Sequence, residues 1–223
     1  KRFYHADDIA VSQSFLDLYR KYKDEAMIIP TLARTEWIVN HPSEGSFKLV
    51  EGDLKTLERW TWCDALFMAP PVYAKLYMLT GEKKYIKFMN REYKATYDYL
   101  FDKEENLFYR DWRYFDKREA NGKKVFWGRG NGWVLGGLVE ILKELPKKDK
   151  NRKFYEELFV KLVPNVPETY VHRIGSPCCR ITASGRFLAC QSFGSCLLSI
   201  TGNKLHYFHC LFHCLWNKRR FIG

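Results

Sequence analysis

The chain has 223 residues, of which 46% are hydrophobic and 17% aromatic, enough for one domain with a sizeable core. The net charge of +11 is uneven: residues 1–162 hold 30 Lys and Arg against 25 Asp and Glu, while residues 163–223 hold seven against Glu168 alone. The body is thus too mildly basic to point to nucleic acid, and no apolar run is long enough to span a membrane.

In chain order, the first helix is expected from Asp7 or Asp8 to about Tyr22. Residues 25–39 place Ile29, Leu32, Ala33, Glu36 and Trp37 at helical spacing. A helix beginning near Thr61 meets Pro70-Pro71, which should kink or restart it, and stops before Gly81, a C-cap. The next helix aligns Tyr85, Phe88, Met89, Tyr93, Thr96, Tyr97 and Leu100. Residues 131–145 and 151–163 complete the series, with Asn131 as a candidate cap. Between helices lies an aromatic, charged loop, 101–128, in which Asn121-Gly122 predicts a type I′ turn and a short β-hairpin near 114–127. The expected fold is all-α, a toroid of helical hairpins with strands confined to loops.

Three stretches carry chemistry. In residues 60–68 the lone carboxylate, Asp64, sits in an aromatic and aliphatic run. Burial would raise its pKa, as acid–base catalysis requires, and Trp62 and Met68 would offer apolar surface to a sugar ring. The alternative is that Asp64 caps the helix entering Phe67. His5-Ala6-Asp7-Asp8 supplies a second acidic site, with Asp8 as catalytic acid or plain N-cap. The run 126–133 sets Arg129 between glycines and the indoles of Trp127 and Trp133, suited to a carboxylate on a ring. In the run 109–114, Arg110 and Arg113 alternate with aromatics, either as a solvated ion-paired loop or as a seat for an acidic sugar.

The runs LERWTWCDALFMAPPVYAKLYMLTGEKKYIKFM and DKEENLFYRDWRYFDKREANGKKVFWGRGNGWV, with HADDIAVSQSFLDLY and EWIVNHPSEGS, resemble glycoside hydrolase family 105, the unsaturated rhamnogalacturonyl hydrolases. The resemblance covers about residues 3–163 and implies an (α/α)6 toroid, incomplete here at both ends. It implies an acidic pectin oligosaccharide as substrate, with a C4=C5 double bond in the terminal uronic acid, and no cofactor or metal. Asp64 would protonate C4 and activate water, with Asp8 as the second acid. His5, Trp62, Met68, Arg110, Trp127, Arg129 and Trp133 would bind the substrate. Some members carry His near Arg110. The compartment is open between bacterial cytoplasm and periplasm, and the chain reads as a fragment or a mature form because it starts at Lys1.

The resemblance stops near Leu162, which divides the chain into a partial hydrolase domain, 1–163, and an atypical, poorly packed tail, 164–223. Three tail segments, 184–195, 200–209 and 208–223, can be encoded by codons that give family-like text when read one base on. A single frame change between about Leu162 and Arg180 accounts for the run of Cys, His and basic residues. The competing readings are a metal site at His206, His209, Cys210, His213 and Cys214, and a non-catalytic carbohydrate-binding module.

Overall fold

The computed structural model describes residues 2–165 and, beyond them, only the backbone of four short strands. The expectations for the tail, including its packing and its Cys/His cluster, lie outside the described residues. The described body is built from α1 (Ala6–Ala10), α2 (Ser12–Tyr22), α3 (Ile29–Asn40), α4 (Ala65–Met68), α5 (Pro70–Thr80), α6 (Lys83–Leu100), α7 (Gly128–Glu144) and α8 (Arg152–Leu162). The strands β1 (Phe101–Asp102) and β2 (Leu107–Phe108) form an antiparallel hairpin after α6. In the tail, β3 (Arg180–Ile181), β4 (Leu188–Ala189), β5 (Leu197–Thr201) and β6 (Lys204–His206) pair antiparallel in that order. The body is all-α, as expected.

Helix α5 is the axis of the packing. Its first seven residues, Pro70–Leu76, are all buried, and it contacts α2, α4, α6 and α7. The prolines restart the chain at the helix N-terminus, where a missing N–H costs nothing. Gly81, at φ 73°, ends it in the left-handed conformation that glycine adopts without strain. Helix α6 buries the expected seam, with Tyr97 half-buried at its edge.

Four local expectations are corrected. His5 caps α1, its Nδ1 accepting from the Asp7 amide, so neither aspartate does, and the first helix bends at Val11. The stripe expected on α3 turns outward: Ile29 is 60% and Trp37 42% exposed, and the helix buries Thr31, Thr35 and Ile38 instead. Hydroxyl bonding makes this possible, since Thr31 donates to Ser12 Oγ and Thr35 to the Thr31 carbonyl. The hairpin near 114–127 shrinks to one bridge, Arg118 to Lys124, over a five-residue loop with Gly122 at φ 79°. The apolar residues of its flanks do not extend a ladder: Phe115 and Phe126 both pack on the Tyr109 ring, with centroids at 5.1 and 4.8 Å, and the tip between them is charged and exposed. The two-strand hairpin is β1–β2, turned by Asp102, whose carboxylate accepts from the Glu104 and Glu105 amides, and by Asn106 at φ 51°.

Two features of the core bear on function. A cationic side chain lies inside it: Lys75 is 2% exposed, with Nζ 2.7 Å from Asp17 Oδ1 and 3.4 Å from Glu144 Oε1. Arg20 Nη1 also binds Glu144, at 2.7 Å, and Glu140 Oε2 lies 3.9 Å from Nζ. The second feature is a glycine row on α7 that lets α4 approach. A Cβ on Gly137 would lie 2.2 Å from the Leu66 carbonyl oxygen, one on Gly136 3.3 Å from the Phe67 ring, and one on Gly130 2.7 Å from Cys63 Sγ. Gly137→Ala is therefore expected to cost about 3 kcal/mol, because backbone must move. The urea midpoint should fall accordingly; an unchanged midpoint would show that α4 does not ride on α7 this closely.

Candidate active site

The site is built where the 60s loop, the segment after β2 and the start of α7 converge. The loop is pinned before α4 begins. Thr96 Oγ1 donates to the Trp60 carbonyl, and the Cys63 amide donates to the Arg110 carbonyl at 3.0 Å. These bonds hold residues 61–64 out of the helix expected to start near Thr61, and α4 begins only at Ala65. Asp64 occupies the position just before α4, yet its side chain makes no capping bond. The carboxylate is thus left unspent by the helix it precedes.

Burial pushes the Asp64 carboxyl up to about 6, with the nearby charge of Asp7 adding to the rise. Its own amide, Arg110 and the Ala65 amide pull in the other direction and are outweighed. The second carboxylate acting on Asp64 thus comes from α1 and is Asp7. Asp8 faces other groups: its Oδ1 is 2.6 Å from Arg2 Nη2 and its Oδ2 3.8 Å from Arg34 Nη2, and the Arg2 hydrogen bond holds its pKa down. Adjacent residues on a helix point about 100° apart, and the sequence alone offered no means of choosing between them.

An aromatic and cationic wall stands beside Asp64. The Arg110 guanidinium lies 4.2 Å over Trp62, 5.5 Å from the Tyr114 ring and 5.6 Å from Trp127, and Nη1 donates to the Tyr114 hydroxyl at 3.0 Å. Arg129 is exposed and lies 5.2 Å over the same Trp127 ring. Asp111 is fully buried and chelated by Arg113, with Nε at 2.7 Å from Oδ1 and Nη2 at 3.1 Å from Oδ2. In the run 109–114 the ion pair is thus Asp111–Arg113, and Tyr114 meets Arg110.

The remaining candidates have mixed positions. Trp133 is half-buried and packs on Phe67 at 4.7 Å, which couples α7 to α4. Met68 is half-buried against the core, and its carbonyl accepts from Gln13 Nε2. His5 lines a cavity of about 190 Å³ with Arg2, Phe3, Tyr4 and Lys55, and burial holds its pKa down. Trp60, at the start of the same run, is core, at 3% exposure between Tyr73 and Phe88. Asn131, expected as a cap, is buried in the first turns of α7. Its side chain bridges both backbone groups of Phe108, locking α7 to β2.

Comparison with known proteins assigns this framework. The profile of Glycosyl Hydrolase Family 88 matches residues 1–170. An unsaturated 3S-rhamnoglycuronyl hydrolase of Alteromonas sp. (strain LOR) is 40% identical over 173 residues, covering 72% of this chain and 41% of that protein. Among solved structures, a glycosyl hydrolase of family 88 from Bacteroides vulgatus is 26% identical with a TM-score of 0.60, over 84% of this chain and 48% of that one. A family 105 glycoside hydrolase from C. acetobutylicum ATCC 824 shares the fold at 20% identity and a TM-score of 0.57, over 85% of this chain and 51% of that one. The chain spans less than half the length of the curated relatives it matches, 41% and 46%. With a profile match over more than half of its length, on a framework of helical hairpins shared with solved members, the chain belongs to Glycosyl Hydrolase Family 88.

Proposed function

We propose that residues 1–163 form part of a toroid hydrolase domain that cleaves unsaturated uronyl–rhamnose oligosaccharides by hydrating the C4=C5 double bond of the terminal sugar. The observation that carries this reading is Asp64: a carboxyl free of helix capping, held near pKa 6, beside a wall of indoles and guanidiniums. Such a group is protonated often enough near neutral pH to act as an acid and is basic enough afterwards to take a proton from water.

In this mechanism Asp64 gives its proton to C4, and positive charge develops at C5, where the ring oxygen shares it. Water adds at C5 as its proton passes to Asp64. The hemiketal opens and releases the second sugar. This differs from displacement by two carboxylates across a glycosidic bond. Asp7 assists by its field, which keeps Asp64 protonated, and Asp8 by ordering Arg2 and Arg34 behind α1. Arg129 takes the uronate carboxylate, while Trp127, Trp133, Trp62, Met68 and His5 wall the sugars.

The test is the ultraviolet absorbance of the enol ether. On an unsaturated uronyl–rhamnose disaccharide it should decay, with kcat/KM high at acid pH and falling as pH rises through about 6, where free Asp64 loses its proton. Absence of decay, with measurable sugar binding, would instead favour a carbohydrate-binding module.

A further inference from the structure

Most described arginines are committed within the protein to carboxylates or backbone carbonyls, as Arg20 is to Glu144 and Arg59 to Glu92. Arg110 and Arg129 differ. Among the described residues, Arg129 has only the Trp127 face, and Arg110 donates only to a neutral hydroxyl, on Tyr114. The nearest carboxylate to Arg110, Asp111, stands 3.6 Å from Nε, beyond hydrogen-bond reach, and its charge is already met by Arg113. Among the described residues, Arg110 Nε is a buried donor without an acceptor, and so is Nε1 of the Trp62 ring beneath it. Buried donors without partners are rare enough in proteins that each calls for a reason.

A role in holding the fold does not supply that reason. The bond that ties this segment to the 60s loop comes from the Arg110 backbone carbonyl, not from its side chain. What the stack achieves is to fix a cation in place, desolvated on one face and 29% exposed on the other. Both unspent guanidiniums lie against one indole, Trp127, at 5.6 and 5.2 Å. One substrate seated on that indole would therefore meet two positive groups.

We infer that Arg110 is a specificity-determining residue that reads a second oxyanion, a sulfate ester or a carboxylate, on the sugar joined to the unsaturated uronyl ring. This rests on the reading above for the first anion, the uronate carboxylate at Arg129. A neutral second sugar would leave the Arg110 Nε donor unmet and should be a poorer substrate.

The experiment uses three unsaturated disaccharides whose second sugar carries a sulfate ester, a carboxylate or neither. It also uses their saturated counterparts, which cannot be hydrated. Wild-type protein should favour a charged second sugar by about 10- to 100-fold in kcat/KM, with a parallel difference in calorimetric Kd for the saturated forms. The larger of the two charged ratios identifies the anion. In Arg110→Gln the preference should fall close to unity, and Arg110→Lys should retain part of it, with circular dichroism confirming that both fold. Equal treatment of charged and neutral sugars by wild type, or a preference that survives Arg110→Gln, overturns the inference. If no disaccharide is hydrolysed, the hydrolase reading fails on its own, while the calorimetric ratios still decide the role of Arg110.

Discussion

Asp64→Asn is expected to lower turnover of an unsaturated disaccharide by roughly a thousandfold or more, because one group supplies both proton transfers. The same substitution should stabilise the fold near neutral pH. The folded Asp64 titrates near 6 against a reference of 3.8, so between those values the native state holds a proton that the unfolded chain has released. The contribution of the group to stability is greatest below the lower value and is lost as pH rises through the upper one. Asparagine cannot ionise and escapes that loss, so the variant should gain roughly 1–3 kcal/mol at pH 7 and little at pH 4. Denaturant unfolding of both proteins at the two pH values checks this. A variant that loses activity without a pH-dependent gain would place the catalytic acid elsewhere.

Lys75→Met is expected to cost about 3–5 kcal/mol at neutral pH, measured as the shift in denaturation midpoint with its slope. Methionine matches the stem in volume, so the loss comes from charge. Asp17 and Glu144 would be left with Arg20, which already binds Glu144 and sits 3.7 Å from Asp17, while Glu140 would keep Lys143 at 2.8 Å. The pH dependence separates this from a packing effect. Carboxylates stripped of a cation bind protons more readily, so the deficit should shrink as pH is lowered toward 4, whereas a packing defect would not change. Equal stability of the two proteins at pH 7 would mean that the buried cluster is dispensable.

What could be read in the sequence was local. Pro70-Pro71 and Gly81 punctuate the helix by their own backbone chemistry, and the α6 seam repeats every three to four residues, so both were visible before the fold was known. The α3 stripe misled because threonines can replace apolar residues in a core once their hydroxyls find partners, which a pattern of hydrophobicity does not register. Asn121-Gly122 gave the turn but not the strands, because the flanking Phe115 and Phe126 are drawn onto Tyr109, a contact that the local pattern does not register.

The site divides in the same way. Asp64 was legible because its aromatic surroundings are contiguous in the chain, and burial raises its pKa as expected. The groups that tune it come from far off: Asp7 from α1, and Arg110 from the segment after β2. The partners of Lys75, separated from it by 58 and 69 residues, are likewise visible only in three dimensions. Long-range placement is a property of packing, and a single sequence carries it only implicitly.

The bare stretch of α7 against α4 has a consequence for how this scaffold can vary. Because Gly137 meets a main-chain carbonyl, the location of the acid is referenced to polypeptide backbone and not to the shape of any side chain. Side chains around the cleft can then be exchanged to suit different sugars without displacing the proton donor, while Gly137, where a Cβ would meet main chain, tolerates almost no change. An engineer wishing to redirect specificity would diversify the rim at Arg110, Tyr114 and Arg129 and leave Gly130, Gly136 and Gly137 untouched.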